Sequence, residues 1–223
     1  MPSKSNPQAD KAFRRRLAAW YRRCARDLPW RRTRDPWAIL VSEFMLQQTQ
    51  VARVLDYYPG FMSRYPTPGH LARVRPAAVR EAWDGLGYYR RATNLHRLSK
   101  EVVAAHDGAV PSDQAALRAL PGVGHYTAGA VACFAFEQPA ATLDTNVARV
   151  LVRAFLGRAT APKGSRGVRR LTSIALRLQP RAGRSAWTFN QALMELGALI
   201  CTARSPKCGE CPVRRSCNWK AAC

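Results

Sequence analysis

Leu120-Pro121-Gly122-Val123-Gly124 separates two runs of helical character, Asp113 to Leu120 and Tyr126 to Phe136. Proline cannot continue the first run and glycine supplies the backbone freedom of a reversal, so the segment reads as helix, hairpin and second helix. Glycines also let the main chain approach a ligand closely, and the N–H groups opening the second helix can hold a phosphate oxygen without reading sequence. An ordinary tight helix–helix turn has the same composition, so this stretch alone leaves both uses open.

Working outward, the same helical grammar recurs. Ser112 is the expected cap of the first hairpin helix, and Tyr88 to His106 carries Leu95, Leu98, Val102 and Ala105 at the spacing of one buried helical face. Further upstream lie expected helices at Ala9 to Arg26, from Asp35-Pro36 to Gln48, and from Gln50 to Ser63 with a bend or break at Pro59-Gly60, then short ones around His70 and after Pro76. Downstream, helices are expected at Thr145 to Phe155, Val168 to Leu178 and Thr188 to Ile200, with Arg158 to Gly167 a loop that could mark a lobe boundary. Neither a run of strand alternation nor an internal repeat is visible, so the fold class expected is all-α.

Lys and Arg total 36 against 14 Asp and Glu, a formal charge of +22. Such an excess calls for an acidic partner, nucleic acid being the commonest, although an Arg-biased composition alone would produce a basic surface too. Met1 to Lys11 is polar, reads as a frayed tail and lacks the apolar core of a signal peptide. The longest nearly apolar stretch, Tyr126 to Phe136, is short of the roughly 18 residues that span a bilayer. An intracellular, nucleoid-associated protein without a membrane partner is expected.

Four of the seven cysteines follow the pattern Cys201-x6-Cys208-x2-Cys211-x5-Cys217. Without a secretory signal, such clustering argues for metal over disulfides. Four-cysteine zinc is the plain reading, but zinc ribbons usually pair two C-x2-C knuckles and only Cys208 and Cys211 form one here; the irregular spacing favours a four-thiolate iron-sulfur cluster. Cys24 and Cys133 are expected in the core, and Cys223 as a terminal thiol.

The hairpin and the cysteine spacing together resemble the helix-hairpin-helix DNA glycosylases of the endonuclease III superfamily, which carry a [4Fe-4S] cluster. Leu28-Pro29-Trp30-Arg31, the run from Ser42 through Glu43 to Val51, Gly85-Leu86-Gly87-Tyr88-Tyr89 and Phe189-Asn190-Gln191-Ala192 are most similar to the MutY adenine glycosylases. The resemblance spans Pro29 to Cys217. It implies a two-lobed fold: a cluster lobe of residues 1–28 and 140–223, and a six-helix barrel lobe of residues 29–139 with the helix-hairpin-helix at about 113–136. A monomer acting on double-stranded DNA is the family default.

Glu43 lies among Trp37, Leu40, Val41, Phe44 and Leu46, where burial would keep it protonated near neutral pH; a solvent-facing stripe with Gln47 has the same spacing. The resemblance implies that Glu43 protonates the flipped adenine and that Asp144 stabilises the developing sugar cation, while Asp144 also suits a helix N-cap. Tyr126 matches the position where endonuclease III relatives carry a nucleophilic lysine, and a phenol cannot form that Schiff base, so a monofunctional glycosylase is implied. The resemblance further places Trp30, Arg31, Leu46, Val51, Asn146 and Gln191 at the base pocket. Gln48 would wedge into the vacated stack, Leu86 and Tyr88 would press beside the opposite base, and Thr49, Gly122, Val123, Gly124 and His125 would contact the DNA; Leu86 and Tyr88 could equally fold onto the core. The four cysteines would hold the cluster.

The sequence stops six residues after Cys217, whereas most MutY enzymes continue into a domain that recognises 8-oxoguanine. Thymine glycosylases acting on T·G or U·G pairs are the runner-up that the resemblance leaves open, and a non-catalytic damage-binding module is a third reading.

Overall fold

The computed structural model describes residues 6–162, 164–181 and 183–219, and these are helical with no strand among them. The chain divides into two compact units, residues 27–136 and residues 1–26 with 137–223. No helix of the described residues is long and apolar enough to cross a membrane.

The 27–136 unit holds α2 (Pro36–Leu46), α3 (Val51–Arg64), α4 (Pro68–Ala72), α5 (Pro76–Ala82), α6 (Arg90–Ala105), α7 (Gln114–Ala119) and α8 (His125–Phe134). Asp35 caps α2 by accepting from the N–H groups of Trp37 (3.0 Å) and Ala38 (3.4 Å), with Pro36 in the first turn. Because α2 packs against α3, α6 and α8, it is buried from Trp37 to Met45 and has no polar face, as a helix surrounded on several sides requires. Its buried polar atoms are satisfied locally: the Trp37 indole donates to Tyr65 O, and Tyr58 Oη to Ala38 O.

The other unit contains α1 (Pro7–Cys24), α9 (Thr145–Leu151), a π-helical turn over Val152–Leu156, α10 (Gly164–Leu178) and α11 (Gly183–Leu199), followed by short 3-10 turns at Cys208–Glu210 and Arg214–Ser216. Phe13, Leu17, Val150, Leu151, Leu193 and Leu196 are among the residues of its core. Glu195 on α11 has no exposed side chain; it accepts from the Arg26 backbone N–H and takes the guanidinium through both carboxylate oxygens at 2.8 Å. Glu195→Ala should lower unfolding stability by about 2–3 kcal/mol in urea titration, less than the ~3–5 kcal/mol of a fully enclosed pair because Arg26 remains a third exposed.

Several sequence expectations need correction. α1 starts at Pro7 under an Asn6 cap, so the part of the frayed-tail segment from Asn6 onward is ordered helix; residues 1–5 lie outside the described residues. Asp113, not Ser112, caps α7, its carboxylate accepting from Ala116 N at 2.8 Å. α2 ends two residues before Gln48, and α6 starts at Arg90, after Tyr88; both residues have left-handed backbones that no helix accommodates. α3 runs unbroken through Pro59, where Pro59 and Gly60 face solvent and water can serve the carbonyl that proline leaves unpaired. The helix expected from Thr145 to Phe155 is present as α9 followed directly by the π-helical turn to Leu156, and α11 begins five residues earlier than Thr188. The 158–167 segment lies inside one unit, not at a boundary, and its last residues already belong to α10. Cys133 is buried but Cys24 is exposed, and Cys223 lies outside the described residues.

Candidate functional site

Glu43 is 6% exposed, in the middle of the wholly buried run of α2. The solvent-facing stripe is therefore excluded: α2 has neighbours on three sides, and Gln47 is the residue that ends it. Trp30, on a 3-10 turn (Pro29–Arg31) beside α2, is buried edge-on against Tyr58 with ring centroids 5.2 Å apart. Arg31, Leu46 and Val51 are half-buried in the same unit.

Two tight loops flank this region in sequence. Gln48 (φ 56°) and Tyr88 (φ 47°) adopt the left-handed backbone that costs a non-glycine residue roughly 1–2 kcal/mol, so each is held by its surroundings. Gly85 is also left-handed, and a Cβ there would run into the Tyr57 hydroxyl, so only glycine fits. The Arg53 guanidinium donates to Gly85 O. Gln48 and Tyr88 are exposed, Tyr88 by 59%, and Thr49 is half-buried. Leu86 differs: at 5% exposure it is folded inward, so the core-packing alternative describes it and Tyr88 alone of the pair is presented to solvent.

At the hairpin, Gly122 (φ 79°) is pressed against Asn94 and Phe44, with a notional Cβ 2.8 Å from Asn94 Cβ, which fixes the turn to α6 and α2. Val123 is buried as the anchor, while Gly122, Gly124 and His125 are exposed. Gly124 caps α8 without a side chain, so the helix start keeps its N–H donors for an external acceptor. Tyr126, the second residue of α8, is half-buried.

Asp144 belongs to the other unit. Its Oδ1 accepts from Val147 N at 2.6 Å as the N-cap of α9, and its Oδ2 accepts from Asn146 Nδ2 at 3.4 Å. Burial pushes the Asp144 carboxyl above the ordinary carboxylate range, while the Val147 N–H, the Asn146 donors and the Arg149 charge pull the other way. Asn146 Oδ1 accepts from Arg149 Nη2 at 2.7 Å, and Arg149 also donates to Gly197 O and, through Nε, to Cys201 O, both at 2.7 Å. Gly197 permits this packing, since a Cβ there would meet Asn146 Cβ at 2.7 Å. Both ends of the Asn146 amide thus make a contact inside the protein, which sets Asn146 beside Asp144 and Arg149. Gln191, on α11, is buried.

Cys201, Cys208, Cys211 and Cys217 line one pocket that Arg153 and Trp219 also border. The four cysteines line that space together, and a donor set of four thiols with no His, Asp or Glu among the lining residues fits a four-thiolate iron-sulfur cluster. Burial pushes the Cys211 thiol up to about 11, the Val213 N–H opposing and the other three cysteines reinforcing, so thiolates there call for a compensating metal charge. Arg153 supplies part of the frame, with Nη1 3.5 Å from Cys201 Sγ, donors to Thr202 O and Ala203 O, and its guanidinium 4.2 Å from the Trp219 ring centroid.

Sequence reasoning passed over Arg149 and Arg153, and over Arg91, which is buried beneath the two left-handed loops. Nothing in the sequence marks them, because 36 basic residues hide the few that turn inward.

A family model described as the HhH-GPD superfamily base excision DNA repair protein matches residues 41–173, and one described as the iron-sulfur binding domain of endonuclease III matches residues 201–217. An adenine DNA glycosylase of Mycobacterium tuberculosis is 51% identical over 207 residues, covering 92% of this chain and 67% of the relative. A thymine-DNA glycosylase of Aeropyrum pernix is 42% identical over 210 residues, covering 93% and 94%. The solved structure of a thermostable thymine-DNA glycosylase superposes with a TM-score of 0.86 at 31% identity, covering 97% of this chain and 99% of the other. The segment matched to the iron-sulfur model begins and ends on cysteines, and the cofactor of this chain is a [4Fe-4S] cluster.

Proposed function

The chain belongs to the HhH-GPD superfamily of base excision DNA repair proteins, and from that premise we propose that it is a monofunctional DNA glycosylase removing mispaired adenine from duplex DNA opposite guanine or 8-oxoguanine. The observation that carries the chemistry is Glu43, buried within the run of α2 that is enclosed from Trp37 to Met45. A carboxylic acid so enclosed is suited to hold a proton and give it up to a base that enters its pocket. Adenine is favoured by 51% identity to an adenine glycosylase, together with the Gln47-Gln48 and Gly85 to Tyr89 motifs.

In this reading the target nucleotide leaves the stack, at a cost of a few kcal/mol, with Gln48 entering the space it vacates and Tyr88 bearing on the opposite base. Glu43 protonates the adenine; the C1′–N9 bond breaks with its electron pair passing to the base. Asp144, as the anion, faces the sugar cation until water adds at C1′ and releases a proton, leaving an abasic site. Tyr126 has no amine to attack C1′, so the strand stays intact. Trp30, Arg31, Leu46 and Val51 shape the pocket, and Gly122 to His125, with Thr49, contact the DNA. When bound, the cluster cross-links the C-terminal loop through Cys201, Cys208, Cys211 and Cys217, and every chemical step belongs to the side chains. A monomer is sufficient for all of them.

Because Arg149 ties Cys201 O to Asn146 and so to Asp144, loss of the cluster should reach the chemistry. Purified protein should be brown with about four irons per chain. Cys211→Ser should lose iron and colour and lower excision by at least tenfold, read by iron assay and single-turnover kinetics. Undiminished excision in iron-free protein would refute the linkage.

A second reading, thymine or uracil excision from T·G or U·G, is favoured by the 42% identity to the A. pernix enzyme across 94% of its length. Incubation with duplexes carrying A·8-oxoguanine, A·G, T·G and U·G, followed by alkaline cleavage, separates the two. Adenine-strand cleavage is the expected result, and cleavage of only the T·G and U·G strands overturns it.

A further inference from the structure

Arg91, on the first turn of α6, is buried, and both of its Nη groups donate to main-chain and hydroxyl oxygens while Nε has no hydrogen-bond partner among the described residues. Nη1 donates to the carbonyls of Phe44 (3.1 Å), Met45 (2.7 Å) and Gln47, the unpaired carbonyl end of α2. Nη2 donates to Thr49 Oγ1 (2.9 Å) and to the carbonyls of Leu86 and Gly87 (both 3.1 Å). One planar fork therefore bridges the two loops that carry the left-handed Gln48 and Tyr88. The same guanidinium lies 5.5 Å from the Trp83 ring centroid and 5.4 Å from that of Tyr88, and Trp83 Nε1 donates to Gly87 O as well. Among the described residues no carboxylate pairs with Arg91, so the charge is not there to balance an acid. Desolvation pulls its pKa down, with the neighbouring Tyr88 opposing.

We infer that Arg91 is a positioning residue that couples the Gln48 loop to the Gly85–Tyr89 loop, so that the two elements acting on the pair being opened move as one rigid wedge. The inference rests on the glycosylase reading for its consequence, but the coupling itself is a property of the free protein. Lysine cannot substitute: a single ammonium has three donors and no fork, and six acceptors on two loops exceed its reach.

The test uses the full-length, iron-loaded protein and the variants Arg91→Lys and Thr49→Val, the latter deleting one Nη2 acceptor at constant shape. In hydrogen exchange of the free protein, the Thr49 and Leu86 amides, bonded to Leu46 O and Trp83 O, should speed up together in both variants. In single-turnover excision, Arg91→Lys should slow removal of adenine opposite guanine on the order of 100-fold, the cost of a small misplacement of positioning groups. The deficit should shrink toward that of wild type when the adenine lies opposite an abasic analogue, where no paired base must be displaced. Thr49→Val should follow in the same direction with a smaller loss. Acceleration of only one loop, or an equal deficit on both substrates, would overturn the coupling. If wild-type protein released adenine from neither duplex, the glycosylase reading would fall, and the exchange measurement would still decide the role of Arg91.

Discussion

Glu43→Gln is expected to lower the single-turnover rate of base excision on the order of 10²–10⁴-fold, the range of a lost general acid, while mismatched duplex still binds. Glutamine preserves the shape and most of the hydrogen bonding of a buried side chain but has no proton to give. Glutamate and glutamine are nearly isosteric, so folding should survive the change even at the buried Glu43 of α2. Gel-shift and excision assays on the same preparation separate the two effects. Turnover equal to wild type would show that the proton comes from elsewhere.

Asp144→Asn is the second large effect. Asparagine remains a good N-cap for α9, so the helix start should hold, but the negative charge facing the sugar cation is gone. The rate should fall on the order of 10²–10³-fold, the scale of removing one preorganised electrostatic contact. The pH dependence follows from the same carboxylate. Asp144 acts as the anion, and burial raises its pKa, so activity is present above that pKa and lost as pH falls through it. The acid limb of kcat/KM should accordingly lie above the usual aspartate value of about 3.9. It should vanish in Asp144→Asn. A limb that persists unchanged in that variant would assign it to another group.

These two carboxylates were legible in sequence through motif context, and their surroundings only in part. Burial of Glu43 could not be read from periodicity, because a helix packed on three sides shows no polar face from which to measure a period. The hairpin was legible because Gly122 combines a positive φ with a close approach to Asn94, and only glycine serves both. The cysteine site was legible from spacing alone. Helix ends were less so: the Asp113 cap and the start of α11 at Gly183 depend on which of several competent residues the tertiary contacts select.

Leu86 and the buried arginines mark the limit. Leu86 carries the same motif context as Tyr88, yet one turns into the core and the other out, a distinction set by the left-handed backbone at Gly87 and Tyr88. Arg91, Arg149 and Arg153 look in sequence like the solvated basic residues around them. Their roles appear only when the carbonyls of α2, α11 and the cysteine loop are brought to them by the fold. The contacts of Asn146 with Asp144 and Arg149 are likewise invisible until the chain is folded.

The most direct test of the central claim is a single duplex carrying one A·8-oxoguanine pair and one T·G pair, incubated with the iron-loaded protein in single turnover, with the released base and both strands identified by mass spectrometry. Free adenine with both backbones intact until alkali is added is the predicted result. Release of thymine alone, or strand scission without alkali, would contradict the account.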